Sequence, residues 1–189
     1  FYGDTAIVVQ NKQGIPHVGL INKAGEFILP PQKQTDITAF HEGLAPIRID
    51  QHWGMINTQG QMIIPALYKK LGPFNDGLAA ALENDKWGYI NTEGNWSISP
   101  RFDKAESFSE GKAAVKQYGS WGFFDTQGKW VVQTQFRESK PYSEGFAAVK
   151  TKDGWGYLDA KGQMHITPQF ETVFSFSEQL ALVSSNAKW

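Results

Sequence analysis

Short runs of alternating apolar and polar residues, each broken by a glycine-containing turn, recur along the whole chain. The strictest alternation sets apolar pairs at Phe27/Leu29, Met62/Ile64, Trp96/Ile98, Trp130/Val132 and Met164/Ile166. A period of two with one apolar face predicts a half-buried β-strand. In four cases proline follows, at Pro30, Pro65, Pro100 and Pro168. Lacking an N–H for the ladder, proline is expected to end the strand. A turn precedes each pair, as in Asn57-Thr58-Gln59-Gly60, Asn91-Thr92-Glu93-Gly94 and Asp125-Thr126-Gln127-Gly128. Asn or Asp can bond its own downstream backbone, and glycine accepts positive φ. The pattern predicts a hairpin turn with a glycine bulge.

The strand before each turn opens with a dipeptide. Trp53-Gly54, Trp87-Gly88, Trp121-Gly122 and Trp155-Gly156 stand 34 residues apart, and Val18-Gly19 opens the same kind of segment upstream. A fixed interval of this length marks a repeat architecture. After the proline comes an irregular stretch with two recurring aromatics. One is Tyr68, Phe102, Phe136 and Phe170, and the other is Phe40, Phe74, Phe108, Tyr142 and Phe176. An acidic turn follows, as in Ser109-Glu110-Gly111, and then a small third strand such as Lys112-Ala113-Ala114-Val115. A loose five-residue connection leads to the next Trp-Gly, so the third strand and the following first strand are natural hairpin partners.

The reading is an all-β chain of tandem three-stranded antiparallel meanders, one domain over 1–189. A partial unit spans 1–17, full units span 18–52, 53–86, 87–120, 121–154 and 155–188, and Trp189 opens a further one. Burying one large apolar side chain contributes about 2 kcal/mol. Fixing one residue's backbone costs about as much. Each unit therefore needs its neighbours, and the array acts as one domain. Both ends carry a third strand, so they duplicate rather than complement each other. That favours an open, twisted or superhelical array, with a closed propeller-like ring as the alternative.

Composition narrows the chemistry. The net charge is −1 with no basic block, which argues against a nucleic-acid partner. No apolar run approaches the roughly 18 residues of a membrane helix. With no cysteine, disulfides and thiol chemistry are excluded. The chain begins at Phe1 rather than Met. A processed or excised product is expected, with an exported or envelope location favoured over the cytoplasm.

The unit Trp-Gly-Tyr-Ile-Asn-Thr-x-Gly, then Pro-x-Phe, then Phe-x-Glu-Gly-x-Ala-x-Val resembles the WG-repeat (KWG-repeat) family, common in bacteria. Lys86-Trp87-Gly88 and the terminal Lys188-Trp189 match its three-letter form. The resemblance covers essentially the whole chain, with departures at Val18, Thr134 and Gln179. It implies a β-rich accessory or binding module. It implies no defined activity and no shared catalytic residues.

The candidate chemistry is sparse. His17, His41, His52 and His165 fall at different phases of the repeat and read as surface histidines, not metal ligands. The acids Glu42, Asp76, Glu110, Glu144 and Glu178 form a ladder. They could bind cations or a basic partner, but turn chemistry, with each acid bonding nearby backbone amides, accounts for them without a ligand. The pairs Glu106/Glu110 and Glu42/Asp50 have the residue types of a glycosidase but no motif around them. No cofactor or metal is expected, and no catalytic residue is assigned. Trp53, Trp87, Trp121 and Trp155 are assigned to an inter-unit core, with Gly54, Gly88, Gly122 and Gly156 allowing close strand approach. In repeat proteins the frame recurs and binding residues vary. The variable residues lie just before each Trp-Gly, and Arg48, His52, Asp85, Tyr118 and Lys152 are the binding candidates there. A non-catalytic protein-interaction module is the first reading. A cell-envelope or glycan-binding domain is the alternative, and an enzyme comes last.

Overall fold

The computed structural model describes residues 2–33 and 35–185. Those residues form strands and turns, with no helix. The first sheet holds β1 (Thr5–Lys12), β2 (Ile15–Asn22) and β3 (Phe27–Lys33). The second holds β4 (Thr35–Ile37), β5 (Leu44–Ile49), β6 (His52–Asn57) and β7 (Met62–Tyr68). The third holds β8 (Lys70–Asn75), β9 (Leu78–Glu83), β10 (Lys86–Ile90) and β11 (Trp96–Phe102). The fourth holds β12 (Lys104–Ala105), β13 (Lys112–Gln117), β14 (Ser120–Asp125) and β15 (Trp130–Phe136). The fifth holds β16 (Glu138–Ser143), β17 (Phe146–Thr151), β18 (Gly154–Leu158) and β19 (Met164–Phe170). The described chain closes with β20 (Thr172–Val173) and β21 (Val183–Ser184). Pairing is antiparallel throughout and runs in chain order inside each sheet, so the strands close no barrel.

The meander expected from the sequence is present, with one strand more in the inner sheets. The stretch read as irregular supplies an outer strand, longest in β8 and β16. Its alternation is hidden because a register slip between Leu71 and Phe74, and between Ser139 and Tyr142, breaks the period. The slips fall around Pro73 and Pro141, and an edge strand tolerates both a slip and a missing N–H. Each inner sheet thus straddles two sequence repeats. It takes its outer and third strands from one unit and its Trp-Gly and second strands from the next.

Proline does not end the second strand, contrary to expectation. Pro100 lies inside β11, opposite Gly88, where three residues of β11 face one of β10. No ladder bond is needed at the slip, so the missing N–H costs nothing. Gly88 makes the slip possible, because a Cβ there would stand 2.5 Å from the Ile98 carbonyl oxygen. Gly54, Gly122 and Gly156 meet the equivalent carbonyls at 2.4, 2.6 and 2.4 Å. The Asn/Asp turns form as read. Asn91 Oδ1 accepts from the amides of Glu93 and Asn95 at 3.1 and 2.9 Å, and Gly94 has φ 85°.

The core lies between consecutive sheets. Leu78, Ala80, Tyr89 and Ile98 of the third sheet meet Phe108, Ala113, Val115 and Phe124 of the fourth segment. Ala79 and Ala81 face the other way, onto Leu44, Met55 and Ile64 of the second sheet. The alanines are thus small on both faces of a strand packed on both sides. The rings two residues after the tryptophan, Tyr89, Phe123 and Tyr157, are fully enclosed, as are Phe74, Phe102 and Phe124. Trp87, Trp53 and Trp121 pack against these clusters from the side and stay half-buried.

Candidate functional site

The antiparallel register sorts each sheet into two ends. Asn/Asp turns and acidic turns share one end, and the β9–β10, β13–β14 and β17–β18 hairpin tips share the other.

At the turn end the acidic ladder is structural, and its reach exceeds the expectation of nearby amides. Glu42 Oε2 accepts from the Gly77 amide at 3.0 Å, Asp76 Oδ2 from Gly111 at 2.8 Å, and Glu110 Oε2 from Gly145 at 2.9 Å. Glu144 accepts from both Glu178 and Gln179, each at 2.8 Å. Each acid therefore staples its turn to the next one, about one repeat downstream. Glu42, Asp76, Glu110 and Glu144 all sit at φ near 50°, from 51° to 54°. That region strains a residue with a Cβ by roughly 1 kcal/mol. Hydroxyls add to the ladder, with Ser109 Oγ donating to the Tyr142 carbonyl at 2.8 Å and Ser143 Oγ to that of Phe176 at 2.7 Å.

At the tip end the connections are two-residue turns, tighter than the five-residue links expected. Asn84-Asp85 and Tyr118-Gly119 have φ of 48°, 61°, 53° and 83°. This is the hairpin turn whose twist matches the strands it joins, at the cost of two residues with positive φ. Gly119 suits it, whereas Tyr118 is bulky and 88% exposed. A carboxylate lies beside this tip. Asp103 binds Lys86 Nζ at 2.6 Å and lies beside the Tyr118–Gly119 turn, whose backbone amides favour its charged form. Lys86 chiefly, with those amides, holds the Asp103 carboxyl below the usual aspartate range, against a smaller opposing effect of burial. This one side chain stands between the tips of the third and fourth sheets. Sequence reasoning missed it, since nothing marks Asp103 apart from any acid after a strand.

The other binding candidates divide. Asp85 and Lys152 are exposed on their tips, and Lys69 lies 3.7 Å from Asp85. His52 lines a groove of about 280 Å³ with Leu67, Tyr68, Leu82 and Asn84. Arg48 is less available, being half-buried, paired with Asp36 and set 5.8 Å over the Trp53 ring. The candidates share one end of the array but not one pocket. A second groove, about 550 Å³, lies beside Trp87 and is rimmed by Lys70, Asp103, Lys104 and Glu106. Its counterpart beside Trp155 is about 350 Å³, and there Lys140 and Lys150 lie over the indole at 5.8 and 5.6 Å. Among the described residues no three His, Asp or Glu are grouped to hold a metal ion.

A family model described as the WG containing repeat matches residues 19–51, 53–87, 87–120, 121–154 and 155–189. The chain belongs to the WG-repeat family. Its repeats therefore account for nearly all of its length. No curated protein matches it. Among solved structures, the WG-repeat chain is similar to Hsv2p of Kluyveromyces lactis at 14% identity and TM-score 0.54, over 85% of this chain and 58% of that one. It is also similar to a eukaryotic initiation factor at 14% identity and TM-score 0.58, over 96% of this chain and 57% of the other. These are β-propeller-like or repeat-like folds, and the likeness is one of fold alone. The chain spans less than two thirds of the length of either protein.

Proposed function

We propose that this WG-repeat array is a non-catalytic interaction module that binds a protein partner across its hairpin-tip end. The observation that carries the reading is Tyr118. A bulky residue in a left-handed turn is strained, and strain of this kind clusters where a side chain must be presented. Here the ring is held out in solvent by a two-residue turn with both φ values positive. Rigid aromatic side chains on such frames are the usual anchors of an interface, since little rotamer entropy is lost on binding. Asp85 and Lys152, on neighbouring tips, supply the charged rim.

The test compares proteins captured from extract of the source cells by immobilised wild-type chain and by Tyr118→Ala. A partner retained by wild type and by Lys161→Ala at the turn end, but lost with Tyr118→Ala, is the expected result. Capture indifferent to Tyr118→Ala and Lys152→Ala together refutes the assignment of this face.

A second reading, glycan binding, rests on the Trp87 groove, where an indole and both charge signs meet. It predicts a saccharide-dependent change in tryptophan fluorescence that Trp87→Phe removes.

A further inference from the structure

The four Trp-Gly indoles differ in what lies across them. Ladder pairing sets Arg48 opposite Trp53, Leu82 opposite Trp87, Lys116 opposite Trp121 and Lys150 opposite Trp155. The Arg48 guanidinium lies 5.8 Å over the Trp53 ring, and the Lys150 ammonium lies 5.6 Å over that of Trp155. Trp155 takes a second cation from the outer strand, since Lys140 Nζ stands 5.8 Å from the Trp155 ring and 5.8 Å from that of Phe174. A cation over an indole is drawn to the negative face of the ring, more strongly where water is kept away. With both lysine stems across it, Trp155 is only 7% exposed. The chain fills this groove with its own ammonium groups.

Trp87 stands two repeats earlier, and both cations are missing from its groove. Leu82 replaces Lys150, and Gly72 replaces Lys140. Gly72 and Lys140 hold the same place in the slip of their outer strands, each directly before its proline. Of the four tryptophans, only Trp87 has no basic residue at either position. Its indole stays half-buried, and its groove holds about 550 Å³ against about 350 Å³ beside Trp155. Where Phe174 lines the Trp155 groove, Glu106 lines that of Trp87. Asp103 is already paired with Lys86, whereas among the described residues no ion pair joins Glu106. Lys70 and Lys104 also rim the groove, but both are exposed, and screening by solvent weakens their repulsion of a cation.

We propose that the Trp87 groove takes a lysine side chain of a protein partner, its ammonium seated on the indole beside Glu106. The partner's lysine occupies the place that Lys140 occupies on Trp155. Its stem lies along the space that Gly72 leaves open, and Glu106 supplies the opposite charge in the position of Phe174. The inference rests on the protein-partner reading and names what that partner must carry.

The test is an NMR titration of the indole N–H signals with N-acetyl-lysine methylamide, the Trp87 signal being assigned by its loss in Trp87→Phe. A saturating shift of that signal in the millimolar range is expected. The norleucine counterpart, which keeps the stem and lacks the charge, should give none. Gly72→Lys supplies the ammonium from within and should abolish the shift. The strand has room for it, since a Cβ at residue 72 meets nothing closer than the Ala80 carbonyl oxygen at 3.6 Å, an ordinary contact. Glu106→Gln, an exposed change, should weaken binding about threefold. No saturable shift in wild type overturns the proposal, as does an equal shift with the norleucine amide, or either variant binding as wild type does. The titration contains no partner, so its failure strikes the groove alone, while the protein-partner reading stands or falls with capture through Tyr118.

Discussion

Glu110 separates two opposing contributions at one position. Its carboxylate accepts the Gly145 amide at 2.9 Å while its own backbone sits at φ 54°. A hydrogen bond to a charged group contributes roughly 1.5–3 kcal/mol, and solvent exposure lowers this to about 1 kcal/mol here. The left-handed backbone costs about 1 kcal/mol for any residue with a Cβ. Glu110→Ala loses the staple and keeps the strain, so it is destabilised by about 1 kcal/mol. For a chain of this size that lowers Tm by roughly 2–4 °C. Glu110→Gly loses the staple but relieves the strain and should melt close to wild type. Glu110→Gln keeps an acceptor oxygen and should fall between wild type and alanine. Thermal melts followed by circular dichroism read all three. An alanine variant that melts with wild type would show that the staple carries no free energy. A glycine variant as unstable as alanine would refute the strain argument.

Two further perturbations probe the frame. Gly122→Ala drives a Cβ to 2.6 Å from the Val132 carbonyl oxygen and 2.8 Å from the Thr134 nitrogen. These are backbone atoms of the paired strand and cannot yield, so a loss of about 3 kcal/mol or more is expected in chemical denaturation, whereas Gly111→Ala meets only the cost of its positive φ. Tyr89 is fully buried and donates to the Glu106 carbonyl at 2.7 Å, and burial chiefly, with the Glu106 charge, raises its pKa. The hydroxyl is therefore harder to ionise folded than unfolded. Its stabilising effect is complete below the ordinary tyrosine range and declines as pH rises through it. Tyr89→Phe should be less stable than wild type at neutral pH by about 1 kcal/mol and show a smaller alkaline loss. Parallel alkaline unfolding curves would contradict this.

The local architecture was legible because it rests on short-range chemistry. Asn91 and Gly94 bond and bend within five residues, and the alternation through Trp96 and Ile98 reports a face directly. The outer strands were harder to see, since Pro73 and Pro141 sit at slips that break the alternation a strand is recognised by. Reading Pro100 as a stop assumed that every residue of a strand needs its N–H. Opposite Gly88 that assumption fails, and only the paired strand reveals it.

The binding candidates show the same division. Variation before each Trp-Gly pointed to the tips, and His52, Asp85, Tyr118 and Lys152 do lie there. That Asp103 pairs with Lys86 beside the Tyr118 turn leaves no local trace in the sequence. The sequence alone determined the repeat, its strand-forming period and its turn types, because these follow from neighbours along the chain. Tertiary structure decided which units share a sheet, where each acid reaches and which tryptophan faces stay open, because those depend on how one repeat is rotated onto the next. The fourth and fifth sheets meet through Ala114, Phe123, Ala147 and Val149, and Glu110 stands opposite the Gly145 amide across that same interface.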